Sequence, residues 1–180
     1  VAVFTVDDTF SCKLPFTVNY TASTCTGCTY NWNIQGAGTP SGVTVPVTYN
    51  TFSPNGFNAR LVVTAPNGCT DTLTQNGLVK TRRISPVISA NTYKGCAPLC
   101  PTFTDNTNYN LLPGETPVSR CWSFPGSTIP ASCTNPYNTC FTTPGCYNVR
   151  LVVQTTDGCI DSTTLIDTVC VGSPPVCAIT

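Results

Sequence analysis

The segment Asn58-Ala59-Arg60-Leu61-Val62-Val63, followed by Asn67-Gly68-Cys69-Thr70-Asp71-Thr72, returns 90 residues later as Asn148-Val149-Arg150-Leu151-Val152-Val153, followed by Asp157-Gly158-Cys159-Ile160-Asp161-Ser162. The same offset carries Trp32 onto Trp122 and Pro54 onto Pro144. A period of this size means two copies of one module, each long enough for a small β-sandwich to bury its own core. Ala2-Val3-Phe4-Thr5 and Pro86-Val87-Ile88-Ser89 open the two copies, which sets modules at 1–84 and 85–173. Residues 174–180, Pro-Pro-Val-Cys-Ala-Ile-Thr, read as the start of a further repeat or as a strand exchanged with an adjacent copy.

Within each copy the hydrophobic period is two. Phe16, Val18 and Tyr20 alternate with Thr17 and Asn19; Phe57, Ala59, Leu61 and Val63 alternate with Asn58, Arg60, Val62 and Thr64; Tyr147, Val149, Leu151 and Val153 repeat the pattern. Such alternation, rich in Thr, Val, Tyr and Phe, predicts half-buried antiparallel strands, and no stretch has helical spacing. Pro54-Asn55-Gly56, Asn67-Gly68, Pro144-Gly145 and Asp157-Gly158 read as the turns between strands. The fold class is therefore all-β: two antiparallel sandwiches of seven to nine strands. Trp32 and Trp122 open the central strands, and Ile34 and Phe124 follow on the same face, which makes both indoles core anchors rather than sugar platforms.

Composition narrows the function. Eight basic and eight acidic residues give no net charge and no basic surface, which argues against nucleic acid and anionic lipid as partners. No apolar run is long enough to insert in a membrane, and no charged-then-apolar leader is present, as expected of a mature secreted segment. Thirteen cysteines without a single His point to disulfides in an oxidising compartment. Cys25-Thr26-Gly27-Cys28 has zinc-ligand spacing, but no second such pair and no His exist to complete a site.

Several motifs are similar to the PKD (polycystic kidney disease) domain, an Ig-like module of bacterial surface and secreted proteins. Gly95-Cys96-Ala97-Pro98 leads into Thr102-Phe103-Thr104-Asp105, with Ser11-Cys12-Lys13-Leu14-Pro15-Phe16 as a looser copy. Trp122-Ser123-Phe124 stands where the family has Trp-Asp-Phe, and Thr143-Pro144-Gly145-Cys146-Tyr147-Asn148-Val149-Arg150-Leu151 matches its most recognisable strand. Gly158-Cys159-Ile160-Asp161 resembles the hairpin of cysteine-bearing repeats in large gliding-bacterial surface proteins. The family's Gly-Asp-Gly turn is replaced by Gln35-Gly36-Ala37-Gly38 and Pro125-Gly126-Ser127-Thr128, so no role of that turn carries over.

An Ig-like topology yields expectations for the cysteines. It brings Cys100 near Cys146, leaves Cys121 to find Cys133 or Cys140, and lets Cys25 and Cys28 close a small ring. Cys12 and Cys96 precede the second strand, whereas Cys69 and Cys159 open the last, about 30 Å away at the other end. Cystine Cα atoms must lie within about 7 Å, so the expected bond is a Cys12–Cys159 staple across the module junction, with Cys69 and Cys96 left for neighbouring copies. Cys170 and Cys177 complete the candidates, and Cys177 is the thiol expected to lack an internal partner.

Catalytic machinery is missing from the sequence. There is no His base, no nucleophile elbow and no Ser-x-x-Lys arrangement. The adjacent pair Asp7-Asp8 reads as a solvated turn rather than a calcium site, and Asp71 and Asp161 as turn residues of the repeat. The 32 threonines read as soluble, β-favouring strand faces. Asp71-Thr72-Leu73, Asp161-Ser162-Thr163 and Asp167-Thr168-Val169 resemble the O-glycosylation motif of the bacteria that use such repeats. The expected function is a non-enzymatic structural or adhesive part of an extracellular, cell-surface filament or giant adhesin. It needs no cofactor and no metal; its expected partners are neighbouring copies of itself or adjacent repeats, head to tail, with surface glycans as a further candidate. The alternative is a carbohydrate-binding or spacer module of a secreted hydrolase, with Tyr30, Tyr109 and Tyr137 as glycan-stacking residues.

Overall fold

A computed structural model describes residues 1–109 and 117–173. The segment 174–180, including Cys177, lies outside the described residues. The chain divides into two compact units, Val1–Arg83 and Ile84–Thr180, and the described residues form strands and no helix.

The first unit has seven strands: β1 (Phe4–Val6), β2 (Phe10–Ser11), β3 (Phe16–Ala22), β4 (Thr29–Ile34), β5 (Thr44–Tyr49), β6 (Ser53–Thr64) and β7 (Thr70–Thr81). They form a three-stranded sheet, β1-β3-β5, and a four-stranded sheet, β2-β7-β6-β4. Alternation dictates which side chains face inward. Val18, Tyr20 and Ala22 of β3, Tyr30, Trp32 and Ile34 of β4, Val45, Val47 and Tyr49 of β5, and Ala59, Leu61 and Val63 of β6 are all buried in one core. Trp32 sits at its centre, edge-on to Phe4 and Tyr20 at centroid distances of 5.1 and 5.9 Å. Pro46 is tolerated inside β5 because that strand lies at the sheet edge and Pro46 faces outward.

The second unit repeats this plan with β8 (Ile88–Ala90), β9 (Lys94–Cys96), β10 (Thr102–Asp105), β11 (Pro117–Ser123), β12 (Tyr137–Asn138), β13 (Gly145–Thr155) and β14 (Ile160–Gly172). Its sheets are β12-β10-β8 and β11-β13-β14-β9. Trp122, Phe103, Phe124, Phe141, Val149, Leu151 and Val153 fill its interior. The long hairpin is common to both units. Ala65 N–H donates to the Cys69 carbonyl at 2.8 Å and Thr155 N–H to that of Cys159 at 2.9 Å, with Gly68 and Gly158 in the left-handed region at φ 83° and 88°.

Two features depart from the purely antiparallel expectation. The opening strand of each unit divides: β1 and β8 pair antiparallel in one sheet, while β2 and β9 cross to the other and pair parallel with β7 and β14. Pro54-Asn55-Gly56 is not a turn but a bulge within β6, where the register jumps from Ser53↔Thr81 to Phe57↔Val79.

The bulge depends on glycine. Gly56 has φ 85°, and a Cβ there would lie 2.6 Å from the Gly77 backbone; Gly77, at φ 62°, would place a Cβ 2.8 Å from the Asn55 carbonyl oxygen. The Gly77 N–H is received by the Asn58 Oδ1 at 2.8 Å, and in the second unit Asp167, at φ 47°, donates its N–H to Asn148 Oδ1 at the same distance. Gly56→Ala is expected to destabilise the first unit by about 2 kcal/mol or more through steric and φ strain, while Asp167→Gly stays within about 1 kcal/mol of wild type. Thermal melts of the two variants check this, and a Gly56→Ala melt equal to wild type would contradict it.

Candidate functional site

The residues with chemistry to offer are the cysteines. Cys25 bonds Cys28, Cys100 bonds Cys140, Cys121 bonds Cys133 and Cys146 bonds Cys170. The expected proximity of Cys100 and Cys146 is therefore corrected. Cys146 stands directly opposite Cys170 in the β13–β14 ladder, with Cα atoms 4.1 Å apart. Cys100 precedes β10 in the other sheet, where Leu99 bridges Phe141 and sets Cys140 beside it, Cα to Cα 4.0 Å. Cys121 and Cys133 meet because Trp122 and Ser132 exchange backbone hydrogen bonds of 2.7 and 3.0 Å.

Cys12 and Cys159 are also disulfide-bonded, whereas Cys69 and Cys96 are free and exposed. Within each unit the register separates the members of this set. Ser11 pairs with Thr81 at the end of β7, while Cys69 immediately precedes Thr70 at its start. Cys96 pairs with Gly172 at the end of β14, while Cys159 immediately precedes Ile160 at its start. From Cys69 to Arg82, which stands beside Cys12, and from Cys159 to Gly172, which pairs with Cys96, is 13 residues in each case; at about 3.3 Å per step these cysteines lie about 40 Å apart, far beyond cystine reach. Cys69 opens onto a cleft of about 270 Å³ that Cys25, Cys28, Val63, Ala65 and Asp71 also line.

Acidic side chains serve the backbone. Asp7 accepts from the Asn19 N–H at 2.9 Å and the Asn19 amide at 2.7 Å, which together hold its carboxyl below the usual range. Asp71 accepts from the Ala2 N–H at 2.7 Å and the Thr72 N–H at 2.8 Å, with the same direction of shift. The Asp105 carboxylate, only 1% exposed, accepts from Thr107, from the Tyr109 hydroxyl and from Arg120 Nε at 3.2 Å. Burial, then the hydrogen bond to Asp105, pushes Tyr109 up to about 12. In the first core the Tyr20 and Tyr49 hydroxyls meet at 2.7 Å, and burial raises both. Among the described residues no group of three or more His, Cys, Asp or Glu side chains could hold a metal, and no helix is long and apolar enough to cross a membrane.

The proposed glycan-stacking residues are placed differently from their expected role. Tyr30 and Tyr109 are buried, with the Tyr30 hydroxyl receiving the Cys25 N–H at 2.7 Å. Tyr137 is half-buried, stacked on Phe124 and donating to the Pro130 carbonyl at 3.2 Å. Period-two alternation sets Tyr30 on the same inward face as Trp32, which is the signal in the sequence against a glycan-stacking role.

No protein-family model and no curated protein sequence matches the chain. Among solved structures, it is similar to the fibronectin(III)-like modules of Clostridium thermocellum CbhA, at 13% identity and TM-score 0.37, covering 91% of this chain and 93% of that one. It is similar to a structure from a 1.5-MDa bacterial ice-binding adhesin, at 16% identity and TM-score 0.46, covering 96% of this chain and 65% of that one. It is also similar to the three N-terminal domains of the bacteriophage RB49 outer capsid protein Hoc, at 11% identity and TM-score 0.39, covering 92% and 57%. The fold is all-β, with two packed sheets in each unit and a framework of local disulfides.

Proposed function

We propose that this chain is a non-catalytic structural or adhesive segment of an extracellular, cell-surface filament or giant adhesin, built from PKD-like repeats joined head to tail. The observation that carries the reading is the division of cysteines. Eight pair locally, as a framework, while Cys12 and Cys159, both oxidised, stand at opposite ends of the repeat plan. A Cys12–Cys159 staple across the module junction accounts for both, and it suits a protein that bears tension along its length. Such a framework belongs in an oxidising compartment. The scarcity of charge and the use of carboxylates to cap backbone N–H groups support a role without catalysis or electrostatic ligand capture.

Peptide mapping under non-reducing conditions tests the staple: a cystine peptide joining Cys12 to Cys159 is expected, and Cys12 joined to Cys69 would overturn the array reading. A glycan array separates this function from that of a carbohydrate-binding module. No saturable binding is expected, and a submillimolar glycan ligand would favour the hydrolase-associated alternative.

A further inference from the structure

Cys69 and Cys96 are repeat counterparts of the two other end cysteines. Cys69 occupies the hairpin position of Cys159, 90 residues earlier, and Cys96 ends the crossed-over strand β9 much as Cys12 directly follows β2. The counterparts nevertheless differ in state. Cys159 is oxidised and 1% exposed, whereas Cys69, in the same hairpin geometry, is a free thiol open to solvent. Cys12 is oxidised and Cys96 is free and exposed. An environment that oxidises the other described cysteines would not preserve two accessible thiols unless they lacked a partner within reach.

Building on the array reading, we infer that Cys69 of one molecule and Cys96 of a second copy of this chain form an intermolecular disulfide, so that the chain polymerises covalently. A Cys96 facing a Cys69 combines the same two repeat positions as the Cys12–Cys159 staple. The partners belong to different surfaces, so the contact is heterologous and does not close on itself; repeated, it gives a filament. The cleft beside Cys69, walled by the Cys25–Cys28 cystine, Val63 and Ala65, offers a small concave seat for the incoming loop. Chemically, one thiolate attacks an acceptor disulfide such as glutathione disulfide and releases one thiol. The other protein thiolate then attacks the mixed disulfide and releases the second. One S–S bond forms as one breaks, and the two protons and two electrons leave the protein with the reduced acceptor.

The test uses the whole chain incubated with glutathione disulfide and resolved by non-reducing electrophoresis. Wild type is expected to give a ladder of oligomers that dithiothreitol collapses, with a Cys69–Cys96 cystine peptide recovered from the dimer band. In a Cys177→Ser background, Cys69→Ser and Cys96→Ser should each stay monomeric, whereas their equimolar mixture should give a dimer and nothing larger, because each partner then carries one competent end. Both positions are exposed, so the substitutions leave the cores intact, which circular dichroism verifies. A ladder that persists in the Cys69→Ser/Cys96→Ser double variant, symmetric dimers of either single variant, or a Cys69–Cys96 bond within one molecule would each overturn the inference. The array reading fails separately: a monomeric wild type from which the Cys12–Cys159 peptide is still recovered defeats only the link between copies, whereas loss of that peptide defeats both.

Discussion

Trp122→Ala is expected to cost about 3–5 kcal/mol, the range for truncating a large buried aromatic, and Trp32→Ala a similar amount. Both indoles are almost fully enclosed, at 0% and 2% exposure, and each holds the centre of its unit against aromatic neighbours. Trp→Phe substitutions distinguish them. Trp32 Nε1 donates to the Gly42 carbonyl at 2.9 Å, so Trp32→Phe strands a part-buried acceptor as well as shrinking the ring. Trp122 Nε1 has no acceptor among the described residues, so no equivalent bond is lost there. Trp32→Phe should therefore exceed Trp122→Phe by about 1–2 kcal/mol, the cost of leaving one such group unpaired. Urea unfolding followed at each unit reads the difference, and equal losses at both positions would remove the hydrogen bond from the explanation.

Reduction should unfold the second unit and spare the first. Loop-closure entropy assigns about 4, 3.5 and 3 kcal/mol to bridges with sequence separations of 40, 24 and 12, which are Cys100–Cys140, Cys146–Cys170 and Cys121–Cys133. Together they contribute about 10 kcal/mol, the size of a whole domain's stability. The first unit has only Cys25–Cys28 as a local staple, with a separation of 3 and a contribution of about 1.5 kcal/mol. Their sheets explain the contrast. In the first unit β3 and β5 pair from Phe16↔Tyr49 through Thr21↔Thr44, whereas β10 and β12 share only Thr102↔Asn138 and Phe103↔Tyr137. Cys100–Cys140 and Cys121–Cys133 stand beside the isolated bridges Leu99↔Phe141 and Trp122↔Ser132, where the second unit has little ladder, while Cys146–Cys170 clamps the β13–β14 ladder itself. With the Trp122→Phe and Trp32→Phe variants as single-tryptophan reporters, dithiothreitol at 25 °C should red-shift Trp122 emission and leave Trp32 emission in place. Simultaneous loss of both signals, or an unchanged Trp122, would contradict this account.

The all-β class, the burial of Trp32 and Trp122 and the long hairpins at Asn67-Gly68 and Asp157-Gly158 were legible because each rests on local information. Side-chain alternation follows from strand geometry alone, and the left-handed turn residue is written into the glycine. The repeat added the one long-range fact a sequence can carry unaided, that two stretches share a plan. Tertiary structure decided which stretches meet. Cys146 takes Cys170 and Cys100 takes Cys140 because the cross-strand register sets Cα atoms about 4 Å apart, and register is not a property of any one strand. Pro54-Asn55-Gly56 became a bulge rather than a turn because β6 resumes pairing with β7 at Ser53↔Thr81, a partner 28 residues away. The opening strand splits between sheets, and Tyr30 and Tyr109 turn inward, for the same reason: each is settled by what a second segment offers on the other side of the contact. The local code fixes what each strand can present, and only the assembled sandwich determines what it is presented to.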